Sequence, residues 1–130
     1  MKKILILGGG FAGIYTAKNL QKQNLEDYEI ELISDNNYFI FQPLLPEVAS
    51  GTIYSSDAVT PIRQMLKGIK YRNAEISSLD FNNKRVSILQ GFKKSSHSIQ
   101  YDHLIIALGQ VSNLDIIKGL KDHAFTMRSL

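Results

Sequence analysis

The pattern of apolar and polar positions predicts a strand, a helix and a second strand at the start of the chain. Residues 4–7 are consecutively apolar and lead into glycine, which is typical of a short strand buried on both faces. In residues 12–22 the apolar positions recur at helical spacing. Residues 29–33 read as a second strand, so the three elements should make a right-handed βαβ unit with parallel strands.

The middle of the chain predicts shorter elements. Residues 38–51 are apolar but interrupted by proline, so they suit neither a good helix nor a central strand. A short helix follows, in which Thr60 is the cap, Pro61 fills the first helical position and Gly68 marks the end.

Four short strands come next, at residues 70–72, 74–80, 85–90 and 98–101. The middle two should pair as an antiparallel hairpin within a small inserted sheet. A last strand in residues 101–109 is apolar and ends in Ala-x-Gly, whereas residues 110–130 show little periodicity. These patterns predict an α/β fold, with a Rossmann-like parallel sheet and an inserted antiparallel β-meander.

Composition and charge narrow the class of protein. With 130 residues, 44% of them hydrophobic, the chain suits one folded domain or a piece of a larger one. Its net charge of +3 comes from scattered residues, which excludes the dense basic patch that nucleic acids require. No cysteine is present for a disulfide, a thiolate metal site or a redox pair. No apolar run reaches the length of a membrane span.

The turn between the first strand and the helix matches the G-x-G-x-x-G fingerprint of dinucleotide sites. It consists of Gly8, Gly9, Gly10, Phe11, Ala12 and Gly13. Gly8 permits the tight turn, Gly10 lets a pyrophosphate approach the backbone, and Gly13 lets helix and strand pack closely. The helix N-terminus offers free N–H groups and a partial positive charge to phosphates. We therefore favour a dinucleotide site over a glycine-rich turn without a ligand.

The ribose contact of this fingerprint is ambiguous. An acidic residue is expected at the end of the second strand, but Ser34 stands there and Asp35 follows it. Asp35 either binds the ribose or is a solvated turn residue. Ser34 can also bond a ribose hydroxyl, more weakly than a carboxylate does.

Other candidate residues also have two interpretations. The segment 38–51 is either a wall for a flat aromatic ligand or a buried loop over the sheet edge. Within it, Glu47 is either a proton donor or a solvated carboxylate, and the second is the commoner case. His97, His103 and His123 share no spacing with each other or with a nucleophile, so we interpret them as structural and predict no metal site.

Four motifs, in this order along nearly the whole chain, resemble the type II NADH dehydrogenases, which are flavoproteins with two dinucleotide-binding domains. They are the glycine turn 8–13, Asn37-Tyr38 with Phe41-Gln42-Pro43-Leu44-Leu45, then Val48-Ala49-Ser50-Gly51, and Tyr101-Asp102 before residues 104–109. The first and last motifs are shared by the wider superfamily. The two between them are much more specific to this family.

The resemblance implies that the glycine turn binds the pyrophosphate of FAD rather than that of NADH. Ser34 and Asp35 then lie at the adenosine ribose. In such enzymes NADH reduces the flavin, which passes two electrons to a membrane quinone, so the resemblance implies an FAD-dependent NADH dehydrogenase.

The same resemblance assigns further residues to the cofactor. It places residues 41–44, and among them Gln42 and Pro43, near the isoalloxazine ring. The backbone of Ile76 would meet the adenine, and Ala107 and Gly109 would pass under the flavin side of the site.

The resemblance also implies an organisation larger than these 130 residues. Residues 1–110 would be the N-terminal part of the FAD-binding domain, and residues 111–130 the connection toward an NADH-binding domain. A C-terminal amphipathic segment would hold the enzyme on the cytoplasmic face of the membrane, and the enzyme would be a homodimer. We therefore expect the chain to be a piece of a longer enzyme that cannot oxidise NADH by itself.

Other functions stay open at this point. Another quinone-linked flavoprotein, such as a sulfide:quinone oxidoreductase, would need cysteines, and so would a disulfide reductase. A non-catalytic nucleotide-binding module fits the glycine turn alone. A plain NAD-dependent dehydrogenase is disfavoured by the short strands that replace the expected βα alternation.

Overall fold

The computed structural model describes residues 1–128, which form nine strands and four helices. In chain order these are β1 (Lys2–Leu7), α1 (Phe11–Lys22), β2 (Tyr28–Ser34), β3 (Tyr38–Ile40), α2 (Leu45–Ala49), β4 (Val59–Pro61), α3 (Ile62–Met65), β5 (Lys70–Asn73), β6 (Glu75–Asp80), β7 (Arg85–Gln90), β8 (Ser95–Gln100), β9 (His103–Ile106) and α4 (Leu120–His123). Two 3₁₀ turns, Gln42–Leu44 and Ser55–Ala58, lie on either side of α2. Ser129 and Leu130, the end of the predicted segment 111–130, lie outside the described residues.

The main sheet has four parallel strands in the order β5-β2-β1-β9. In β1, residues 2–7 pair with residues 28–33 of β2, and residues 4–7 pair with residues 103–106 of β9. The helix α1 connects β1 to β2. The predicted βαβ unit and the Rossmann-like parallel sheet are therefore confirmed.

The apolar run of β1 is continuous because both faces of the sheet are covered. Ile4 and Ile6 face α1, where they share a core with Ile14 and other residues of that helix. Leu5 and Leu7 point to the opposite face and pack against the three-stranded sheet β6-β7-β8. Each such fully buried aliphatic side chain stabilises the fold by roughly 1.5–3 kcal/mol.

The interpretation of residues 70–72 as one of the inserted strands is wrong. The strand β5 pairs in parallel with residues 31–34 of β2 and forms an edge of the main sheet. A strand of four residues carries too little periodicity to identify its partner. The other three strands form the antiparallel meander β6-β7-β8, as predicted, although β8 begins at Ser95 because the turn before it is short.

The predicted helix cap at Thr60 is also wrong. Thr60 and Pro61 belong to β4, which pairs antiparallel with β3, and Pro61 stands at the N-cap of α3 without a side-chain cap. The helix ends at Met65, so Gly68 lies beyond it, at a left-handed φ of +81°. Residues 60 and 61 pair with β3 although the local sequence pattern favours the start of a helix there.

The segment 38–51 is more regular than its prolines suggest. It contains β3, which belongs to a two-stranded sheet and is not a central strand, and the one-turn helix α2. Pro46 lies in the first turn of α2, where a helix needs no N–H group, so proline does not prevent this helix.

The last strand is shorter and more exposed than predicted. It covers residues 103–106, and 53% of Ile106 is exposed because β9 has a neighbour on one side only within the described residues. Of residues 107–128, only the four residues of α4 form a helix or strand. In residues 1–128 no helix combines the length and apolar character needed to cross a bilayer.

One buried carboxylate links three neighbouring strands of the main sheet. Glu31 of β2 is 0% exposed, and its two oxygens lie 3.1 Å from Lys3 Nζ of β1 and 2.8 Å from Arg72 Nε of β5. Arg72 also donates a hydrogen bond to the side chain of Gln90 in the meander. Burial by itself lowers the pKa of Lys3, but hydrogen bonds to Glu31 and Glu29 outweigh it and raise that pKa above its ordinary value.

We predict that Glu31→Gln lowers the free energy of unfolding by about 2 kcal/mol or more, because Lys3 and Arg72 lose their buried counter-charge. Glu29 provides a matched control. Its side chain is 36% exposed and pairs with Lys3 and Lys70, so Glu29→Gln should cost about 0–1 kcal/mol. Urea denaturation measures both. Equal losses in the two variants would show that burial of Glu31 does not set its contribution.

Candidate functional site

The glycine turn lies at the carboxyl end of β1, between the ends of β2 and β9. The Gly8 N–H donates to the Ile33 carbonyl at 2.8 Å, and the Ala107 N–H donates to the Leu7 carbonyl at 2.8 Å. The turn is thus held to both neighbouring strands. In open α/β sheets, ligands bind at the carboxyl ends of the strands, in the crevice where the direction of strand succession reverses, and β1 lies at such a point here.

At two positions of the turn, neighbouring atoms of the protein leave no room for a side chain, so glycine is required there. Gly8 has a φ of +110°, and a Cβ on it would collide with the Ala107 carbonyl oxygen. A Cβ on Gly13 would collide with the Gly8 carbonyl oxygen. Because these two residues have no side chain, α1 can pack directly on the turn after β1, and the end of β9 can lie beside it.

The other two glycines differ from each other. A Cβ on Gly9 would lie 2.7 Å from both Ile62 Cδ1 and Ser34 Oγ, so this position is filled by neighbouring side chains. A Cβ on Gly10 would meet no atom within 4 Å. Gly10 has an ordinary φ of −83°, so neither packing nor backbone conformation within the described chain requires glycine there.

The helix α1 begins at this open position without a cap from any described side chain. Gly10 is the N-cap residue, and the first turn, which starts at Phe11 and Ala12, contains no acidic residue. The Gly10 carbonyl accepts the first helical hydrogen bond, from the Ile14 N–H at 3.0 Å. The positive end of the helix dipole thus lies next to the open space at Gly10, and helix starts of this kind bind phosphate in other proteins.

The structure separates the two candidate ribose residues. Ser34 is 4% exposed, and its hydroxyl oxygen points to Gly9 and accepts a hydrogen bond from the Asn36 N–H at 3.3 Å. Asp35 is exposed, and its carboxylate accepts one long hydrogen bond, of 3.3 Å, from the side chain of Asn36. Of the two side chains, only that of Asp35 has most of its polar surface open to a ligand.

Two residues that the sequence pattern did not indicate support the backbone of residues 34–36. Asn73 donates from its side-chain nitrogen to the carbonyl oxygens of Ser34 and Asp35, at 3.1 and 2.9 Å. The Tyr71 hydroxyl donates to the Asn36 carbonyl at 2.8 Å. The assignment of β5 to the inserted sheet hid them, because that sheet would have placed them away from β2.

Aromatic side chains form one flank of the glycine turn. The Phe11 ring lies 4.9 Å from that of Phe39 and 5.6 Å from that of Phe41, between ring centres, and stacks on Tyr15 at 6.3 Å. Phe39 is buried, whereas Phe41 is 41% exposed. The structure therefore brings part of the segment 38–51 to the start of α1.

The remaining predicted residues lie around the same end of the sheet or beyond it. Gln42 and Pro43 follow Phe41 in an exposed 3₁₀ turn. Ile76 is half-buried in β6, two residues after Ala74, whose N–H donates to the Ser34 carbonyl at 2.9 Å. Ala107 touches Gly8, and Gly109 follows in an exposed left-handed conformation at φ +75°.

The other candidates of the sequence analysis do not join this group. Glu47 is exposed on α2. In residues 1–128 no three His, Asp or Glu side chains come together as a metal site would require.

Two grooves on the surface do not coincide with the glycine turn. One of about 650 Å³ lies between the end of α1 and the starts of β2 and β5, with Leu20, Leu25 and Ile69 in its lining. Another of about 420 Å³ lies along β3 and β4. The larger groove opens at the amino ends of the strands, opposite the edge where α/β sheets bind nucleotides, so its size does not identify the candidate site.

Comparison with known proteins finds relatives over nearly the whole chain. Residues 2–130 match the sequence model of the family described as pyridine nucleotide-disulphide oxidoreductase. A type II NADH:quinone oxidoreductase of Staphylococcus haemolyticus is 36% identical over 133 residues, an alignment that covers 99% of this chain and 31% of the relative. The chain thus spans about a third of that relative's length.

Solved structures of oxidoreductases also superpose on most of this chain. The NDH2 structure from Plasmodium falciparum in complex with NADH superposes with a TM-score of 0.87 at 30% identity, over 98% of this chain and 26% of that one. The sulfide:quinone oxidoreductase of Aquifex aeolicus superposes with a TM-score of 0.73 at 34% identity, over 84% of this chain and 24% of that one.

We predict that two glycines of the turn differ in how well they tolerate substitution by alanine. Gly13→Ala should lower the free energy of unfolding by about 3 kcal/mol or more, because the added methyl group has to displace the Gly8 carbonyl. Gly10→Ala should change it by less than about 1 kcal/mol, because the methyl group enters open space. Urea denaturation measures both values. Similar losses in the two variants would contradict this description of the turn.

Proposed function

The chain belongs to the pyridine nucleotide-disulphide oxidoreductase family, and we propose from this that it is the FAD-binding part of an NADH:quinone oxidoreductase. One observation carries the proposal. At the carboxyl end of the central strand, α1 begins without a side-chain cap, and no described atom lies within 4 Å of where a Gly10 Cβ would stand. The type II NADH:quinone oxidoreductase that aligns with nearly the whole chain supports this choice within the family.

The residues of the turn fit the pyrophosphate of FAD. The backbone from Gly8 to Gly13, with Gly9, Gly10, Phe11 and Ala12 between them, would hold its two phosphates. The missing Cβ of Gly10 leaves room for a phosphate to approach the backbone, and the dipole of α1 stabilises its negative charge. Bound FAD would supply the redox chemistry, in which it accepts reducing equivalents from NADH and delivers two electrons to a quinone.

The adenosine half of FAD would extend from the turn toward the end of β2. We place its ribose at Asp35 and Ser34, and assign the main hydrogen bond to Asp35, because its carboxylate is exposed while the Ser34 hydroxyl is buried against Gly9. The backbone near Ile76 would meet the adenine. The hydrogen bond from the Ala74 N–H to the Ser34 carbonyl holds the start of β6 next to the end of β2.

The flavin half would extend in the other direction. Gln42 and Pro43 would lie near the isoalloxazine ring, and the strand end from Ala107 to Gly109 would pass under it. The packing of Phe41 on Phe11 places an apolar wall beside the glycine turn, and such a wall would exclude water from the reacting side of the cofactor.

The whole enzyme would extend beyond these residues. Residues 1–110 are proposed as the N-terminal part of the FAD-binding domain, and residues 111–130 as the connection toward an NADH-binding domain. NADH and a quinone would be its substrates. We further propose that the enzyme works at the cytoplasmic face of a membrane and as a homodimer, and that the 130 residues alone do not oxidise NADH.

A sulfide:quinone oxidoreductase is the weaker candidate. That enzyme of Aquifex aeolicus superposes on less of the chain, 84% against 98%, and with a lower TM-score, 0.73 against 0.87, than the Plasmodium falciparum protein. An assay with NADH and with sulfide as alternative electron donors to a soluble quinone separates the two. We expect turnover with NADH by the intact protein, and turnover with sulfide alone would overturn the assignment.

We predict that Gly10→Val leaves the fold intact and weakens FAD binding by about tenfold or more, because its side chain occupies the space that a phosphate needs and removes at least one charge-assisted hydrogen bond. Flavin fluorescence quenching measures the affinity, and circular dichroism checks the fold. Ser98→Val, at an exposed position of β8, is the control and should bind FAD as the unchanged protein does. Unaltered affinity in Gly10→Val would remove the pyrophosphate from this turn.

A further inference from the structure

Three successive carbonyl oxygens, from the last residue of β2 onward, are all held by side chains of β5. Asn73 Nδ2 donates to the carbonyls of Ser34 and Asp35, at 3.1 and 2.9 Å, and the Tyr71 hydroxyl donates to that of Asn36 at 2.8 Å. The two side chains also contact each other, with Asn73 Nδ2 3.3 Å from the Tyr71 oxygen. We call this group of contacts the β5 clamp.

The β5 clamp holds the chain after β2 against β5, beyond the last backbone pair of these two strands. The last pair between β2 and β5 is Ser34 with Asn73, so Asp35 and Asn36 lie past the end of the ladder. Exposed turns of this kind are mobile unless side chains fix their backbone. The clamp holds the backbone of the turn on the main sheet.

The tyrosine of the clamp is itself fixed by packing. Tyr71 is 9% exposed and belongs to the core beneath α1, and the Arg63 guanidinium lies 5.2 Å above its ring. Burial raises the pKa of the Tyr71 hydroxyl, so the hydroxyl stays protonated and remains a donor. Its bond to the Asn36 carbonyl therefore persists across the physiological pH range.

The clamp binds the carbonyls of the turn and leaves the carboxylate of Asp35 available. The Asp35 side chain accepts only the 3.3 Å bond from its neighbour Asn36 among the described residues, and it stands at the same sheet edge as the glycine turn. The Ser34 hydroxyl, in the place where the fingerprint expects an acid, is turned to Gly9.

We propose that Asn73 and Tyr71 are positioning residues that fix Asp35 as the acceptor for the 2′-hydroxyl of the adenosine ribose. The proposal rests on the proposed FAD site and adds to it the residues that make a displaced carboxylate effective. A carboxylate held in place accepts hydrogen bonds from hydroxyl groups and repels a phosphate, so the site selects a ribose with a free 2′-hydroxyl.

The test compares two ligands on the intact protein, FAD and the FAD analogue whose adenosine ribose lacks the 2′-hydroxyl. The unchanged protein should bind FAD about tenfold more tightly, because one hydrogen bond to a charged group is lost with the analogue. Asp35→Ala should abolish this preference. Asn73→Ala should reduce it strongly and Tyr71→Phe partly, while affinity for the analogue stays close to that of the unchanged protein.

Tyr71→Phe keeps the buried ring and so preserves folding even where Asn73→Ala weakens it. Asn82→Ala, at an exposed position in the turn between β6 and β7, is the matched control and should keep the full preference. A preference that survives both clamp variants, or equal weakening of both ligands in them, would overturn the positioning role. FAD binding without any ribose preference would also overturn it, whereas failure of the unchanged intact protein to bind FAD would overturn the proposed function itself.

Discussion

The architecture depends on the contact between the start of α1 and the turn that follows β1. Gly13 lies so close to the Gly8 carbonyl that no side chain fits between them, and Gly8 is equally close to the carbonyl of Ala107. Helix, central strand and the end of β9 therefore meet through their backbones. The same closeness places the start of α1 at the carboxyl edge of the sheet, so the constraint that packs the fold also positions the candidate site.

One face of the sheet changes from apolar to charged along its strands. At the carboxyl ends of the strands, Leu7 and Ile33 bury apolar surface against the meander. Further from that edge, the same face carries Glu31, which is buried between cations of the two neighbouring strands. A buried ion group of this kind stabilises little against apolar packing, but it penalises any shift in strand register that would leave one charge unpaired. It thereby favours the pairing that brings the end of β5 level with the end of β2.

The sequence predicted those parts of the fold whose signals are local. The apolar run of β1, the glycines after it and the helical period of α1 each act within a few residues, and together they define the βαβ unit. The partner of β5 and the strand at Thr60 are set by contacts with residues far along the chain, so short-range patterns misassigned them. The resemblance to type II NADH dehydrogenases identified the family correctly because its motifs are distributed over nearly the whole chain.

The candidate site also combines features that local sequence patterns predict with features that depend on contacts between distant residues. The sequence alone identifies the glycine turn, since its motif consists of residue types at fixed spacing. The choice between Ser34 and Asp35 was not, because it depends on which side chain the fold buries, and the support from Asn73 and Tyr71 depends on the pairing of β5 with β2. Ambiguity in the sequence was thus greatest where tertiary contacts decide the orientation of a polar group.

A titration of the ¹⁵N-labelled protein with FAD, followed by the backbone amide signals, tests whether the glycine turn holds the pyrophosphate. If the turn holds the pyrophosphate, the signals of Gly9, Gly10, Phe11 and Ala12 should shift most, together with that of Asp35. If those signals stay in place while those of Leu20 and Leu25 in the large groove move, or if no amide signal moves at all, the glycine turn is not the site.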